Sequence, residues 1–375
     1  MRPEDAPDSD RIEKPLLQFL QGVLSQPGLA YAQPPTHIAT GAESAVYGFA
    51  LRDSDGGFAG EFVCRLLPPD GDFQQIQREA ATQRALEALE VPVPTVVCAG
   101  DPEAGLGGPF LVMQRIRGLG GFSVVPGLAL VVAMGSLFDL GWLGGLGFLG
   151  FQAANVHTQR RLHRLPTERY CELLEQAGTD PKSQRLPAWL ERLERGIDSV
   201  AAENLRPGLD WLRQQAKMRG APEALCHGDF WPGNLILGWT GVRAIIDWPS
   251  ATLAEREFDL AWSLVQDASD LPFITALPEP LVPVAGAVFW PFAWFFVGFH
   301  RWLYRVLFGI DPKALRYYAA FHTLRVLVTI ELADAGRTPI PPWSTARARR
   351  TLLRRFRRFT GIDVSLRRRR REDES

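Results

Sequence analysis

The pattern of hydrophobic and polar positions in the first third of the chain predicts short strands and one helix. Four runs have the apolar or alternating character of strands: 45–51, 61–67, 91–97 and 110–113. The first two flank a turn rich in aspartate and glycine, which is typical of a hairpin. Over 75–89 the apolar residues recur with the spacing of one helix face. We therefore expect a small β-rich N-terminal lobe over residues 36–117.

The remainder of the chain is predicted to be mostly helical, apart from a short strand pair at 235–237 and 244–246. Before the β-rich lobe, residues 1–35 are predicted to form a polar leader and a short amphipathic helix. Strands in one region and helices in another indicate an α+β protein. The expected architecture is thus bilobal, with a larger helical C-terminal lobe over 118–340.

Composition narrows the class of protein. The chain has 375 residues, of which 46% are hydrophobic and 22% charged, and this suits a globular protein with a sizeable core. Its four cysteines form no C-x-x-C pair, so a zinc ribbon and a redox motif are excluded. The N-terminus is acidic and proline-rich and lacks the basic start and apolar core of a secretion signal. We expect a cytoplasmic protein.

One segment carries candidate chemistry. It runs from His227 to Asn234 with the letters H-G-D-F-W-P-G-N, and Asp247 follows at the end of an apolar run. Phosphoryl transfer needs a carboxylate that orients the acceptor hydroxyl and oxygen ligands for Mg²⁺. Asp229 fits the first role, and Asn234 and Asp247 fit the second. In the alternative interpretation, Asp229 and Asn234 cap a turn and Asp247 merely ends a strand.

The motif H-G-D-x-x-P-G-N followed by I-I-D-W resembles the aminoglycoside phosphotransferase and choline kinase family, whose members are distant relatives of protein kinases. The resemblance extends over roughly residues 36–335. It implies a protein-kinase-like fold and transfer of the γ-phosphoryl group from ATP, with Mg²⁺, to a hydroxyl of a small molecule. It also implies that Asp259, in an Asp-Leu-Ala helix start, braces the catalytic loop, and that His227 is structural.

The same resemblance implies a nucleotide site in the N-terminal lobe. Gly41 and Ser44 lie in a short loop that would cover the phosphates. The family places a basic residue on the following strand, and because no lysine occurs between positions 14 and 182 the role falls to Arg65, paired with Glu79. An ordinary surface ion pair is the alternative. Main-chain groups near Gln114 would contact adenine.

Two long apolar segments, 119–156 and 281–299, depart from this pattern, since 119–138, 140–156 and 281–299 each approach the length that spans a bilayer. A single crossing at 281–299 would place the arginine-rich C-terminus on the outer side of the membrane, away from the catalytic residues. This contradicts the positive-inside rule. Insertion of 119–156 as a hairpin that returns, location in the membrane interface and burial in the core all remain open.

The C-terminal tail, 343–375, is strongly basic, with twelve arginines and one acid between Trp343 and Arg371. Leu352, Phe356 and Phe359 lie on one helical stripe among these arginines, which suits an anionic membrane surface. A solvated helix is the alternative. Nucleic acid is a disfavoured partner, because no nucleic-acid-binding fold accompanies the tail.

We therefore expect a kinase that acts on a small-molecule hydroxyl acceptor, hydrophobic or delivered by the membrane, and that associates peripherally with the inner face of the membrane. Trp231, Trp248 and Trp262 are candidates to line an apolar or cation-accepting pocket. Two other classes are weighed against this one. The first is a catalytically inactive nucleotide-binding regulator at the membrane surface, and the second is a nucleic-acid adaptor that binds through its arginine tail.

Overall fold

The computed structural model describes residues 7–40, 44–52, 59–120, 141–217, 222–238, 241–266, 282–341 and 344–367. The chain divides into two units, which are described separately. The first unit contains Met1–Gly120, Glu168–Asp180 and Asn234–Pro249. The second contains Gly121–Thr167, Pro181–Gly233 and Ser250–Ser375. The chain thus passes from the second unit to the first between Gly233 and Asn234, within the segment that carries the candidate chemistry.

A five-stranded antiparallel sheet forms the centre of the first unit. Its strands are β1 (Ala30–Thr40), β2 (Ala45–Arg52), β3 (Gly60–Leu66), β4 (Val96–Gly100) and β5 (Phe110–Gln114), in the spatial order β1-β2-β3-β5-β4. Helix α1 (Ser9–Val23) buries Ile12, Leu16 and Leu20 in the same apolar cluster as the strands. Helix α2 (Phe73–Ala88) begins at Asp72, whose side chain accepts a hydrogen bond from the Gln74 N–H.

The sequence pattern missed β1 and misplaced β4. Pro34 and Pro35 lie inside β1, which tolerates them because it is an edge strand and its register with β2 shifts between Gln33 and Thr36. The predicted strand over 91–97 was wrong in position, since β4 begins only at Val96. Pro92 and Pro94 have no N–H to donate to a strand ladder, and the pairing of β4 with β5 begins only at Val96.

Two later segments also belong to the first unit. Strands β6 (Leu119–Gly120), β8 (Leu235–Gly238) and β9 (Gly241–Ile245) form a small antiparallel sheet in which β8 is central. The predicted strand pair is therefore confirmed. Helix α4 (Thr167–Gln176) contacts α2 through a hydrogen bond from the Tyr170 hydroxyl to Thr82 Oγ1, at 3.3 Å.

The second unit is mainly helical. Its described elements are α3 (Gly141–Leu162), α5 (Leu186–Ser199), α6 (Arg206–Ala216), β7 (Ala224–Cys226), β10 (Thr252–Ala254), α7 (Glu257–Gln266), α8 (Val282–Phe308), α9 (Pro312–Asp334) and α10 (Ala346–Thr360). Strands β7 and β10 pair with each other. One large apolar cluster joins α5, α6, α7, α9 and α10, and Phe258 and Phe321 lie fully buried within it.

The arginine-rich tail is part of this core. Leu352 and Phe356 of α10 are fully buried, and the Phe356 ring lies against Gly208, where an added Cβ would come within 2.8 Å. Arg349 forms an ion pair with Asp334, and Arg367 bonds Glu331 at 2.7 Å, so both ends are fixed to α9. The apolar stripe that was predicted to face a membrane surface therefore packs into the core, and exposed arginines remain on the outer side of α10.

The two apolar segments are described only in part. Of the segments 119–156 and 281–299, residues 121–140 and residue 281 lie outside the described residues, and β6, α3 and α8 account for the remainder. Within the ranges that the model describes, no helix is both long enough and apolar enough to cross a membrane.

Candidate active site

The loop that carries Asp229 follows strand β7 and is held by a single carboxylate. Asp259, the third residue of α7, accepts hydrogen bonds from the backbone N–H groups of His227, at 3.0 Å, and Gly228, at 2.6 Å. Gly228 has φ of 81° and passes so close to Ser250 that an added Cβ would lie 2.1 Å from its carbonyl oxygen. Only glycine fits this position. The bracing function expected of Asp259 agrees with these contacts.

Asp259 is itself fixed by a buried histidine. His163 Nε2 lies 3.0 Å from Asp259 Oδ2, and His163 Nδ1 lies 2.8 Å from the Tyr304 hydroxyl. Cys226 also comes near, and the three groups could in principle surround a metal ion. However, both Asp259 oxygens already accept hydrogen bonds from the loop N–H groups, Oδ2 also lies beside His163, and burial raises the pKa of the Cys226 thiol well above its ordinary value. We interpret the cluster as a hydrogen-bonded support.

Asp229 is half-buried, and one of its oxygens is engaged. The indole N–H of Trp262 donates to Asp229 Oδ1, and the Asp229 N–H donates to His227 Nδ1 at 3.3 Å. Trp262 belongs to α7, three residues after Asp259, so one turn of helix carries both the brace and the donor. Arg325, on α9, places its guanidinium 4.5 Å from the Trp262 ring centroid and donates to the Gly228 carbonyl at 3.3 Å.

Arg65 is the centre of a polar cluster in the first unit. It lies on β3, and its guanidinium is close to the carboxylate of Glu79 on α2, whose side chain is almost fully buried. Arg65 Nε donates to Ser44 Oγ at 3.1 Å, and Nη2 lies 3.5 Å from Asp247 Oδ1. The predicted partners therefore meet, and the pair is internal because the Arg65 side chain is only 11% exposed.

Asn234 and Asp247 lie at the same end of the β8–β9 hairpin. Leu235 pairs with Ile245, and the Asn234 carbonyl accepts a hydrogen bond from the Ile246 N–H at 2.9 Å. The pairing of the two strands therefore brings the two candidate metal ligands to the same end of the hairpin. Asp247 has φ of 67°, a left-handed conformation that is uncommon outside glycine and concentrates at functional sites. Amide and carboxylate oxygens are suitable ligands for Mg²⁺.

The other predicted nucleotide-binding residues are less informative. Gln114 ends β5, is exposed, and donates its backbone N–H to the Thr95 carbonyl at 2.9 Å. Ser44 is buried beside Arg65. Gly41 lies outside the described residues.

Two sets of predicted residues thus emerge, one in each unit. In the first unit, Arg65 contacts Ser44, Glu79 and Asp247. Asn234, which precedes β8, belongs to the same unit, whereas Asp229 belongs to the second. Sequence analysis missed the supporting residues His163, Trp262 as a hydrogen-bond donor, and Arg325. Their partners lie between 33 and 97 residues away in the chain, so no local motif marks them.

Comparison with known proteins places this arrangement in a family. Residues 36–282, well over half of the chain, match the model of the phosphotransferase enzyme family. The chain belongs to this family, and it is a kinase.

Solved structures support the same fold. A thermostable mutant of the aminoglycoside phosphotransferase APH(4)-Ia superimposes with a TM-score of 0.54 at 13% identity, over 92% of this chain and 98% of that protein. LicA in complex with AMP superimposes with a TM-score of 0.52 at 12% identity, over 93% and 99% of the two chains. At such identities the likeness concerns the fold alone. The expected α+β protein-kinase-like fold, with a β-rich N-terminal region and a mostly helical C-terminal region, is confirmed.

Among curated proteins, the probable ketoamine kinase of Lactiplantibacillus plantarum is 35% identical over 74 residues. The match covers 20% of this chain and 26% of that relative, about a quarter of its length. It therefore supports kinase chemistry without assigning a substrate.

Proposed function

We propose that this kinase transfers the γ-phosphoryl group of ATP to a hydroxyl group of a small molecule, with Asp229 as the residue that receives the hydroxyl proton. The Trp262 N–H donates to Asp229 Oδ1, and this hydrogen bond would hold the carboxylate in one orientation for the acceptor hydroxyl. As the acceptor oxygen bonds to the γ-phosphorus, the bond from phosphorus to the bridging oxygen of ADP breaks and the hydroxyl proton passes to Asp229.

The residues of the first unit would bind the nucleotide. Arg65, oriented by Glu79 and Ser44, would contact the phosphates as a planar, permanently charged group. Asn234 and Asp247 would hold Mg²⁺, which neutralises phosphate charge when bound. The Asp247 side chain is 42% exposed, so it is accessible to an ion. Gly41 and Gln114 keep the nucleotide-binding functions that the family resemblance implies.

One observation carries the proposal: Asp259 accepts hydrogen bonds from the loop backbone, and Trp262, one turn later on the same helix, donates to the Asp229 carboxylate. It is tested by Asp229→Asn, which preserves size but removes the proton acceptor. We expect Mg²⁺-dependent transfer from ATP to fall by at least about a thousandfold, while nucleotide binding and the melting temperature stay unchanged. Asp210→Asn, at an exposed position on α6, is the matched control. Undiminished transfer by Asp229→Asn would refute the assignment.

The inactive-regulator alternative makes a different prediction in the same assay. A regulator would bind ATP with micromolar to millimolar affinity and show no turnover in the native protein with any acceptor. Turnover that depends on Asp229 excludes it.

We further propose that the acceptor is hydrophobic and is taken from a membrane surface, with the enzyme peripheral at the inner face. Helix α8 supports this proposal because several large apolar side chains are exposed in its described part, 295–308, while two polar ones are buried. His300 and Tyr304 face inward, whereas Phe295, Trp302 and Val306 are each more than half exposed. Their spacing places all three on one side of the helix. Large exposed apolar surfaces mark binding sites for proteins, ligands or membranes, and tryptophan favours the lipid interface.

Sedimentation with phosphatidylcholine vesicles, with and without phosphatidylserine, tests the membrane proposal. We expect the protein to sediment with the anionic vesicles and Trp302→Ser to weaken this binding several-fold. Val23→Ser, at an equally exposed apolar position on α1, is the control. Protein that remains in the supernatant with both lipid compositions contradicts the proposal.

A further inference from the structure

Arg325 occupies the aromatic surface beside the catalytic loop. Its guanidinium carbon lies 4.5 Å from the Trp262 ring centroid and 5.6 Å from that of Trp189. A cation held between two indole rings is the arrangement that aromatic cages use to bind quaternary ammonium ligands. Here the cation belongs to the protein, so the space between the Trp189 and Trp262 rings already holds a positive charge.

A second arginine extends the positive surface. Arg192, on α5, places its guanidinium carbon 4.6 Å from the Trp189 ring centroid. The Trp189 ring is fixed because its N–H donates to Thr252 Oγ1 at 2.8 Å. Arg192, Arg325, Trp189 and Trp262 all keep part of their surface exposed, while Arg192 also donates to the Ser183 carbonyl and Arg325 to that of Gly228.

This surface lies next to the reacting group. Trp262, which supports Arg325, donates to Asp229, and Arg325 itself bonds the carbonyl of Gly228, the residue before Asp229. The negative charge of Asp229 alone would repel an anionic acceptor and attract a cationic one. The adjacent guanidinium groups reverse this preference, because they offset Asp229 and present donor forks that match carboxylate and phosphate oxygens.

We propose that Arg325 and Arg192, on the Trp189–Trp262 platform, bind an anionic group of the acceptor, so that this kinase phosphorylates negatively charged alcohols and discriminates against cationic ones. The proposal rests on the proposed function, since it concerns the acceptor that Asp229 receives. Its chemistry is a hydroxyl group and a carboxylate or phosphate group on one molecule. An apolar body between them agrees with the exposed face of α8.

The test uses the full chain and ω-hydroxyalkyl compounds of one length that end in carboxylate, phosphate, amide or trimethylammonium. Binding is measured by calorimetry with Mg²⁺ and a non-hydrolysable ATP analogue, and transfer is measured with Mg-ATP. We expect the carboxylate or phosphate compound to bind at least about tenfold more tightly than the amide compound, and the trimethylammonium compound to bind most weakly. The stronger of the two anionic compounds identifies the headgroup.

Variants connect the preference to the arginines. Arg325→Gln should reduce affinity for the preferred anionic compound by about 10- to 100-fold and leave the amide compound and the KM for ATP nearly unchanged. Arg192→Gln should have a smaller effect in the same direction. Arg195→Gln, exposed on the same helix as Arg192, is the control. Melting temperatures confirm that each variant folds, and Arg325→Lys should recover part of the anion preference.

The outcomes separate this inference from the proposed function. Tightest binding of the trimethylammonium compound, or an anion preference that Arg325→Gln leaves unchanged, overturns the inference even if transfer is efficient. Failure of every compound to be phosphorylated would instead count against the proposed function. The binding preference and its loss in Arg325→Gln would still decide the inference.

Discussion

The indole N–H of Trp262 donates a hydrogen bond to the carboxylate of Asp229, and these residues lie 33 positions apart in the chain. Helix α7 therefore performs two tasks in one turn: Asp259 holds the backbone of the catalytic loop, and Trp262 orients its side chain. Catalysis by positioning depends on such fixed groups, because a small displacement of the reacting carboxylate reduces the rate strongly.

Replacement of Trp262 by phenylalanine tests this relationship. The ring beneath Arg325 is largely kept, but the N–H donor is lost, and a hydrogen bond to a charged group contributes roughly 1.5–3 kcal/mol. We expect kcat to fall by about 10- to 100-fold while the KM for ATP stays constant. Trp211→Phe, on α6, provides the control, since its ring stacks on Tyr317 away from Asp229. An unchanged kcat in Trp262→Phe would show that Asp229 is oriented by other groups.

Substitution of Arg65 by lysine should show why a guanidinium is used. Lysine keeps the charge but loses the fork that reaches Ser44, Glu79 and Asp247 together. We expect the KM for ATP to rise by about tenfold or more and the melting temperature to fall, because the buried Glu79 carboxylate loses part of its partner. Arg78→Lys, at a more exposed pair with Asp72, should change neither value. Steady-state kinetics at varied ATP and thermal unfolding measure the two effects.

Acid stability should depend on His300. Burial, with smaller contributions from Arg301 and His163, lowers the pKa of His300 to about 4. The neutral ring bonds Gln159 Oε1 at 3.0 Å and lies 3.4 Å from the Asn155 amide nitrogen. The folded pKa lies below the unfolded value of about 6.5, so the unfolded state binds the proton first as the pH falls. The contribution of His300 to the unfolding free energy is therefore fully present above about pH 6.5 and is lost as the pH falls toward 4.

The difference between wild type and His300→Gln isolates this contribution. We expect the wild type to lose up to about 3 kcal/mol more unfolding free energy than the variant between pH 6.5 and pH 4. Denaturant titrations at several pH values give the two curves. Parallel curves over this range would mean that His300 is protonated in the folded protein at an ordinary pKa.

The buried face of α10 gives a stability prediction. Phe356→Ala should lower the unfolding free energy by about 3–5 kcal/mol, because it removes a fully buried ring that packs against Gly208. Arg358→Ala, at an exposed position of the same helix, should change it by less than about 0.5 kcal/mol. Chemical denaturation compares the two. Equal, small effects would indicate that the tail folds independently of the core.

The sequence predicts best what is local. His227 to Asn234 and Asp247 fall within one segment of 21 residues, so both the candidate chemistry and the family resemblance can be read from it. The meeting of Arg65 with Glu79 was predictable because the family resemblance supplied the partner. Trp262 and Arg325 were not assigned to Asp229, since their contacts arise only when distant helices pack.

Errors in the predicted elements have physical causes of the same kind. Strand β1 contains Pro34 and Pro35, and only its position at the sheet edge makes them acceptable. The apolar stripe of α10 looked like a lipid-binding face because hydrophobic periodicity does not say which apolar surface covers it. The packing of Leu352 and Phe356 into the core decides that question.

The hydrogen bonds from the His227 and Gly228 amides to Asp259 link activity to folding. Because both N–H groups donate to a residue of α7, the geometry of the loop depends on the docking of α7 beside β7 in the second unit. Heating should therefore abolish turnover and melt α7 in one step.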